Sequence, residues 1–89
     1  MRFAWDEAKR ESNLAKHGID LLQARQLFDG RPLFTYRSQR GDEARCVSVG
    51  VLDGRMVAVV WLERDDGLRL ISLRRARDGE KRTYRELHG

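Results

Sequence analysis

The N-terminal third of the chain places its apolar residues at helical spacing, which predicts two helices. Asp6 is a suitable N-cap for a helix over Glu7–Lys16, and Gly18 supplies the left-handed residue that ends it. A second helix should begin at Asp20, whose side chain can cap it, and end before Gly30. The residues before Asp6 form either a short strand or an apolar lead-in.

From Arg31 onward the pattern changes to the alternation that is typical of β-strands. Four strands are predicted, over Leu33–Arg37, Ala44–Val51, Met56–Glu63 and Leu68–Arg77. Turn signals at Asp53-Gly54 and Asp65-Asp66-Gly67 should join them in sequence order, and Asp78 should cap a short last helix. The predicted fold class is therefore α+β, with an N-terminal helix pair packed on a four-stranded antiparallel β-meander and a short C-terminal helix.

The last predicted strand is apolar in its middle and carries four arginines near its ends, Arg69, Arg74, Arg75 and Arg77. In a regular strand Arg69 and Arg74 point to opposite faces. They can share a site only if a bulge lies between them or if Arg74 lies beyond the strand end. These arginines are either an anion site on a rigid scaffold or solvated residues at the rim of a sheet.

Length and cysteine content limit the classes of protein that the chain can represent. Its 89 residues suit one small domain over residues 1–89, with a single modest core. The single cysteine, Cys46, excludes an intrachain disulfide and a cysteine-based zinc cluster. No apolar run approaches the length of a membrane span or a signal peptide, so we expect a protein of the reducing cytoplasm, without a membrane partner.

The charge of the chain is positive and unevenly distributed. The formal net charge is +4, and the residues from Arg69 to Gly89 hold many more basic than acidic side chains. Such a basic region favours a polyanionic partner, most simply nucleic acid. Arginine greatly outnumbers lysine, which reflects either phosphate recognition or the codon preference of a GC-rich genome.

Three local patterns, in this order and at these spacings, resemble the signatures of the BrnT toxin family. The first is Phe3-x-Trp5-Asp6-x-x-Lys9-x-x-x-Asn13-x-x-Lys16-His17-Gly18. The second is Glu43-x-Arg45 with Gly50, and the third is Arg69-x-Ile71-Ser72-x-Arg74-x-Ala76 followed by Glu80 and Tyr84. The resemblance thus covers most of the chain.

This resemblance implies a function that composition alone does not reveal. BrnT proteins are toxins of type II toxin–antitoxin pairs, have a RelE-like fold, and act as ribonucleases (mRNA interferases) that block translation. The implied partners are an RNA substrate and a cognate, BrnA-like antitoxin that binds DNA and represses the shared operon. Contact with operator DNA would then be indirect, through the antitoxin, and the expected complex of toxin and antitoxin is a heterotetramer.

Metal-independent RNA cleavage needs a group that takes the proton of the ribose 2′-OH, cations that stabilise charge on the phosphate, and a proton for the 5′-oxygen. The expected phosphate contacts are Arg64, Arg69 and Arg74, because arginine presents a planar fork of donors that matches phosphate oxygens. No metal ion or other cofactor is expected.

Four residues are candidates for the catalytic base and acid, and each has a structural alternative. His17 has an ordinary pKa near neutrality, but its place at a helix end equally fits a cap. Glu43 is either a base or the ion-pair partner of Arg45. Glu80 is either a catalytic group or the residue that holds a strand arginine in place. Tyr84 either donates a proton, stacks on a base, or packs in the core.

A further set of residues is predicted to contact the RNA backbone: Lys9, Asn13, Lys16, Arg75 and Arg77. The first three are expected together on the exposed side of the first helix, where they either bind RNA or form a solvated face. Two non-catalytic functions would use the same basic C-terminal region. The chain would then be a nucleic-acid-binding module, or a module whose main task is to bind the antitoxin.

Overall fold

A five-stranded mixed sheet forms the centre of the protein, as seen in a computed structural model that describes residues Met1–Gly89. The elements in chain order are β1 (Arg2–Ala4), α1 (Glu7–His17), a 3-10 helix (Leu21–Phe28), β2 (Phe34–Arg40), β3 (Glu43–Leu52), β4 (Arg55–Arg64), β5 (Gly67–Arg75) and α2 (Asp78–His88). The strand order across the sheet is β1-β5-β4-β3-β2. None of the helices is long and apolar enough to cross a membrane.

The predicted fold class is wrong. The sheet has five strands and is mixed, because β1 pairs in parallel with the first residues of β5. The helices do not form an N-terminal pair on an antiparallel meander, since the second is a 3-10 helix and α2 covers the other face. A short strand before Asp6 was one of two alternatives, but a pattern of three residues is too short to reveal its pairing with β5, far away in the chain.

Gly67 makes the pairing of β1 with β5 possible. A Cβ atom at this position would overlap the carbonyl oxygen of Arg2, which lies opposite Gly67 in the parallel register. Only glycine allows the two backbones to approach this closely. The exposed ion pair between Arg2 and Asp66, at 3.6 Å, lies at the same end of the strands.

The two faces of the sheet are covered by different helices. The 3-10 helix buries Leu21, Ala24 and Leu27 completely against one face. On the opposite face, α2 places Tyr84 against a cluster of small apolar residues from β3, β4 and the link between β5 and α2, namely Val47, Val49, Ala58 and Ala76. We call this second face the cleft face, and it carries Tyr36, Arg45, Val60 and Arg74.

A bulge in β5 changes which residues share a face. Val60 lies opposite Ser72 and Trp61 lies opposite Leu70, so Ile71 has no partner on β4. Leu70 and Leu73 are therefore both fully buried on the face covered by the 3-10 helix. Arg69, Ser72 and Arg74 consequently share the cleft face. The bulge meets the condition under which two of the predicted arginines lie on one side of the sheet.

Helix α1 lies against the outer edge of β5, beyond the last residue of β1. Its one buried side chain is Asn13, which is 5% exposed. Asn13 Nδ2 donates to the carbonyl of Leu73 at 2.9 Å, and its Oδ1 accepts from the Leu73 N–H at 2.9 Å. The prediction that Asn13 lies on the exposed side of the helix is wrong, because its amide bonds the free edge of β5 in the way that another strand would.

Candidate active site

A cleft of about 620 Å³ opens on the cleft face beside the C-terminal ends of α1 and β5. Its lining residues are Lys16, His17, Tyr36, Ser38, Gln39, Arg40, Arg45, Val47, Val60, Ser72, Arg74 and Arg77. Lysine and arginine contribute five of these residues, and none of them is a carboxylate. The two valines give the floor an apolar strip. The cleft is therefore suited to a ligand that combines negative charge with flat apolar surface, as a nucleotide does.

Arg74 is held at the wall of the cleft by Glu80, the third residue of α2. Its NH1 donates to Glu80 Oε1 at 2.8 Å and its NH2 donates to Oε2 at 3.0 Å. The side chains are only 14% and 8% exposed. A bidentate pair with this burial fixes the plane of the guanidinium group far better than an exposed ion pair would.

Two more donors complete the surroundings of the Glu80 carboxylate. The Tyr36 hydroxyl donates to Oε2 at 2.5 Å, and the backbone N–H of Arg77 donates to Oε1 at 2.8 Å. The Glu80 carboxylate thereby joins three elements, namely β2, β5 and the start of α2. The carboxylate thus has no free position for a proton donor from the substrate.

The charges of this group follow from its contacts. Burial disfavours the Glu80 anion, but the bonds from Arg74, the Arg77 N–H and Tyr36 outweigh it and lower the pKa of Glu80 to about 2. The hydrogen bond to Glu80 raises the pKa of Arg74. Burial and the bond to Glu80 raise the pKa of Tyr36. At neutral pH the three groups are a carboxylate, a guanidinium and a neutral phenol.

Arg74 keeps part of its hydrogen-bonding capacity for a ligand. Its NH1 group bonds Glu80 and also the carbonyl of Arg75 at 3.3 Å, and its NH2 group bonds Glu80 once. A guanidinium group has five N–H donors, so the Nε–H and one hydrogen of NH2 remain without a protein acceptor. These two donors lie side by side on one edge of the plane, the arrangement that binds phosphate oxygens in pairs.

His17 is the group in the cleft that can exchange a proton near neutral pH. It is the last residue of α1 and is half-buried, and its ring makes no hydrogen bond within the protein. The helix is capped instead by the N–H of Gly18, which donates to the Leu14 carbonyl at 2.9 Å. Burial, followed by the charges of Lys16 and Arg74, lowers the pKa of His17. The imidazole is therefore mostly neutral at pH 7 and able to accept a proton.

The structure brings some of the predicted site residues together and separates others. Lys16, His17, Arg74 and Arg77 line the cleft, and Glu80 lies directly behind Arg74. Lys9 lies next to the cleft, in a shallow depression that also touches Lys16 and His17. Arg69 is half-buried on the cleft face but does not line the cleft.

The other predicted residues lie elsewhere. Arg64 lies opposite Gly67, at the far end of β5 from Arg74, roughly 20 Å away along the strand. Arg75 is exposed at the end of β5. Glu43 is exposed and pairs with Arg45 at 2.7 Å, and this hydrogen bond lowers the pKa of Glu43.

Tyr84 belongs to the apolar cluster under α2 and not to the cleft. Its ring lies 4.9 Å from that of His88. Reasoning from the sequence missed the other tyrosine, Tyr36, together with Arg40. Both lie on β2, whose pairing with β3 brings Tyr36 opposite Val47 on the cleft face. The alternation of residues in β2 shows which side chains share a face, but it does not show which face lies against Glu80. No local signal could therefore have identified Tyr36.

The rest of the chain offers no grouping of histidine, cysteine and carboxylate side chains that would hold a metal ion. The model of a family described as "Ribonuclease toxin, BrnT, of type II toxin-antitoxin system" matches residues 5–80. The matched segment includes α1, the whole sheet after β1, and Glu80. No curated protein matches the chain.

Proposed function

The chain belongs to the BrnT family of ribonuclease toxins of type II toxin–antitoxin systems, and we propose that it cleaves RNA in the cleft between α1, β2 and β5 without a metal ion. The observation that carries the proposal is the pair of N–H donors on Arg74 that have no acceptor within the protein. Glu80 holds this guanidinium group in place, and the neutral ring of His17 lies beside it. Cleavage of messenger RNA would block translation in the cytoplasm.

In the proposed reaction His17 accepts the proton of the ribose 2′-OH, and the 2′-oxygen attacks the adjacent phosphorus. The bond from phosphorus to the 5′-oxygen then breaks, and the departing oxygen takes a proton from water. The products are a 2′,3′-cyclic phosphate and a 5′-hydroxyl. The imidazolium of His17 returns its proton to solvent, so the protein is unchanged after each turnover.

Cationic side chains stabilise the negative charge that develops on the phosphate oxygens. The free edge of Arg74 donates two hydrogen bonds, and Lys16 and Arg77 supply further positive charge at the rim. Metal independence is supported by the basic side chains that line the cleft, since they can neutralise negative charge on the phosphate without a metal ion. The Glu80 carboxylate, directly behind Arg74, is already saturated by its own donors.

Glu80 acts in this proposal as a positioning residue for Arg74 and not as a base, since a carboxylate with a pKa of about 2 is too weak a base to take a proton at neutral pH. Arg69, Arg75 and Lys9 would guide the RNA chain into the cleft. We assign no catalytic part to Arg64, Glu43 or Tyr84, because none of them lines the cleft.

The family implies an antitoxin partner. We expect a BrnA-like, DNA-binding antitoxin that forms a heterotetramer with the toxin and links it to operator DNA. A cleft with five basic residues and no carboxylate supports inhibition by an acidic segment of the antitoxin, which would use the same arginine donors as RNA.

The test is cleavage of labelled single-stranded RNA by the purified chain in the presence of EDTA. Arg74→Gln and His17→Gln should each reduce kcat by roughly 10²-fold to 10³-fold, because they remove a charge-stabilising donor and the base. Arg64→Gln, which removes a charge outside the cleft, should cleave like the wild type. If the wild-type chain binds RNA but leaves it intact, cleavage is refuted and a non-catalytic binding module is supported.

A further inference from the structure

Tyr36 is the uncharged member of the buried group around Glu80. Its hydroxyl reaches from β2, the edge strand of the sheet, and donates to Glu80 Oε2 at 2.5 Å. Glu80 in turn holds Arg74 through both of its oxygens. We propose that Tyr36 is a positioning residue for RNA cleavage, which fixes the Glu80 carboxylate and thereby the free edge of Arg74. This inference rests on the function proposed above.

The hydroxyl has a specific task because of the way the donors are divided between the two carboxylate oxygens. Oε1 accepts from Arg74 NH1 and from the backbone N–H of Arg77, which cannot move without α2. Oε2 accepts from Arg74 NH2 and from Tyr36. Without the hydroxyl, Oε2 would be bonded only to the group that it has to orient.

Water is a poor substitute for the missing donor. The Glu80 side chain is 8% exposed, so a replacement molecule would have to enter a corner closed by β2, β5 and α2. A carboxylate in such a corner, with one oxygen that has lost one of its two donors, would turn about its terminal torsion towards solvent. The plane of the Arg74 guanidinium group would turn with it, because the two groups are bonded at two points.

The ring of Tyr36 and its hydroxyl have separable roles. The ring stacks on that of Phe34 with centroids 5.5 Å apart, and both rings pack against the apolar cluster under α2. A phenylalanine at position 36 would retain this packing and remove only the donor. Burial raises the pKa of Tyr36, so the hydroxyl keeps its proton and acts as a donor throughout the neutral range.

Loss of the Tyr36 hydroxyl should slow the chemical step and leave RNA binding nearly unchanged. The binding of RNA in its ground state depends on several cations, among them Lys16 and Arg77. The free edge of Arg74 is needed where new charge forms on the phosphate, and catalysis is sensitive to small errors in such a position. Loss of the Tyr36 hydroxyl should therefore lower kcat and leave KM nearly unchanged.

The first experiment compares Tyr36→Phe with Tyr84→Phe, which removes the hydroxyl of the other tyrosine in the same apolar cluster. Rates are expressed per folded molecule, from circular dichroism melting curves. Tyr36→Phe should lower kcat by roughly tenfold to a hundredfold with KM changed less than about twofold. Tyr84→Phe should keep wild-type values. In a Glu80→Gln background the Tyr36 change should add almost nothing, since the positioning pathway is already broken.

The second experiment does not depend on activity. NMR relaxation of the Arg74 Nε–H group should show a rigid side chain in the wild type and in Tyr84→Phe, and a mobile one in Tyr36→Phe. Should Tyr36→Phe fail to fold, Glu80→Gln replaces it, because loss of the carboxylate should release Arg74 equally.

The outcomes separate the two proposals. A wild-type chain that leaves RNA intact refutes cleavage, and the mobility of Arg74 alone then decides whether Tyr36 positions it. An Arg74 side chain that stays rigid in Tyr36→Phe, or a kcat equal to that of Tyr84→Phe, overturns the role of Tyr36.

Discussion

Glu80 is a buried carboxylate that the fold stabilises as an anion. It accepts two bonds from Arg74, one from Tyr36 and one from the Arg77 backbone, and its pKa is about 2. A buried pair of this kind is not by itself proof of high stability, because both ions lose hydration on folding. The change in stability with pH that results from Glu80, however, has a definite sign.

We expect the stability of the protein to fall as acid protonates Glu80. The pKa is lower in the folded state than the ordinary value of 4.5, so the contribution is fully present above that value and is lost as the pH approaches about 2. Its size is on the order of 3 kcal/mol. Urea unfolding of wild type and Glu80→Gln between about pH 6 and pH 2.5 would measure it.

The difference between the two unfolding curves isolates Glu80 from the other carboxylates that titrate in acid. Asp29, whose pKa is also about 2 because of its bonds to Arg31, should contribute equally to both proteins. A difference in stability that stays constant across the pH range would contradict the assignment of a depressed pKa to Glu80.

Some of the residues in the candidate site could be identified from the sequence, and others could not. The family signature includes Lys16, His17, Arg74 and Glu80, which the structure brings to one cleft or directly behind it. The signature gives no distances, however, so Tyr84 was expected in the same site, and arginine chemistry alone added Arg64, which lies far from the cleft. Tyr36 was missed because its role depends on contact with α2, which lies far away in the chain.

At the scale of elements, Asn13 shows how one side chain closes the edge of a sheet. Strand β1 pairs with β5 only from Gly67 to Arg69, so the Leu73 backbone further along the strand needs other partners. Asn13 supplies a donor and an acceptor to Leu73, and also donates to the Ile19 carbonyl at 2.8 Å. It thereby ties α1 to both the sheet and the start of the 3-10 helix.

Replacement of Asn13 by alanine should destabilise the protein by about 2–4 kcal/mol, because it leaves the Leu73 N–H and carbonyl buried without partners. Ser12→Ala is the matched control on the neighbouring, exposed position, where the hydroxyl bonds only the Ala8 carbonyl. That change should stay within about 0.5 kcal/mol of wild type. Thermal unfolding followed by circular dichroism gives both values. An Asn13→Ala protein as stable as Ser12→Ala would show that the amide has no structural role.

Local sequence signals predicted several elements. Features that depend on pairing between distant parts of the chain could not be predicted in this way. The Asp53-Gly54 hairpin between β3 and β4 is confirmed, with both residues at positive φ as a primed turn requires. The parallel pairing of β1 could not be read from three residues. A bulge between Arg69 and Arg74 is one of the two conditions that the sequence sets for a shared site, but only the register with β4 shows that it exists and lies at Ile71.

For the whole molecule, the distribution of charge matters more than the net charge of +4. Basic residues occur on many surfaces, including Arg64 at one end of the sheet and Arg82 on the exposed side of α2. The cleft differs because its cations share one concave surface without a carboxylate among the lining residues. RNA bound there should release counterions from the phosphates that these side chains contact.

The salt dependence of RNA binding should therefore distinguish cleft cations from the rest. For single strands each neutralised phosphate contributes about −0.7 to the slope of log K against log salt concentration. Arg77→Gln should reduce the magnitude of the slope by about 0.7, since Arg77 is exposed and lines the cleft. Arg64→Gln removes the same charge from an exposed site outside the cleft and should leave the slope unchanged. Fluorescence anisotropy with a labelled oligoribonucleotide, measured with a His17→Gln background to prevent cleavage, provides the slopes. Equal effects of the two substitutions would mean that RNA binds to the general positive field of the protein and not to the cleft.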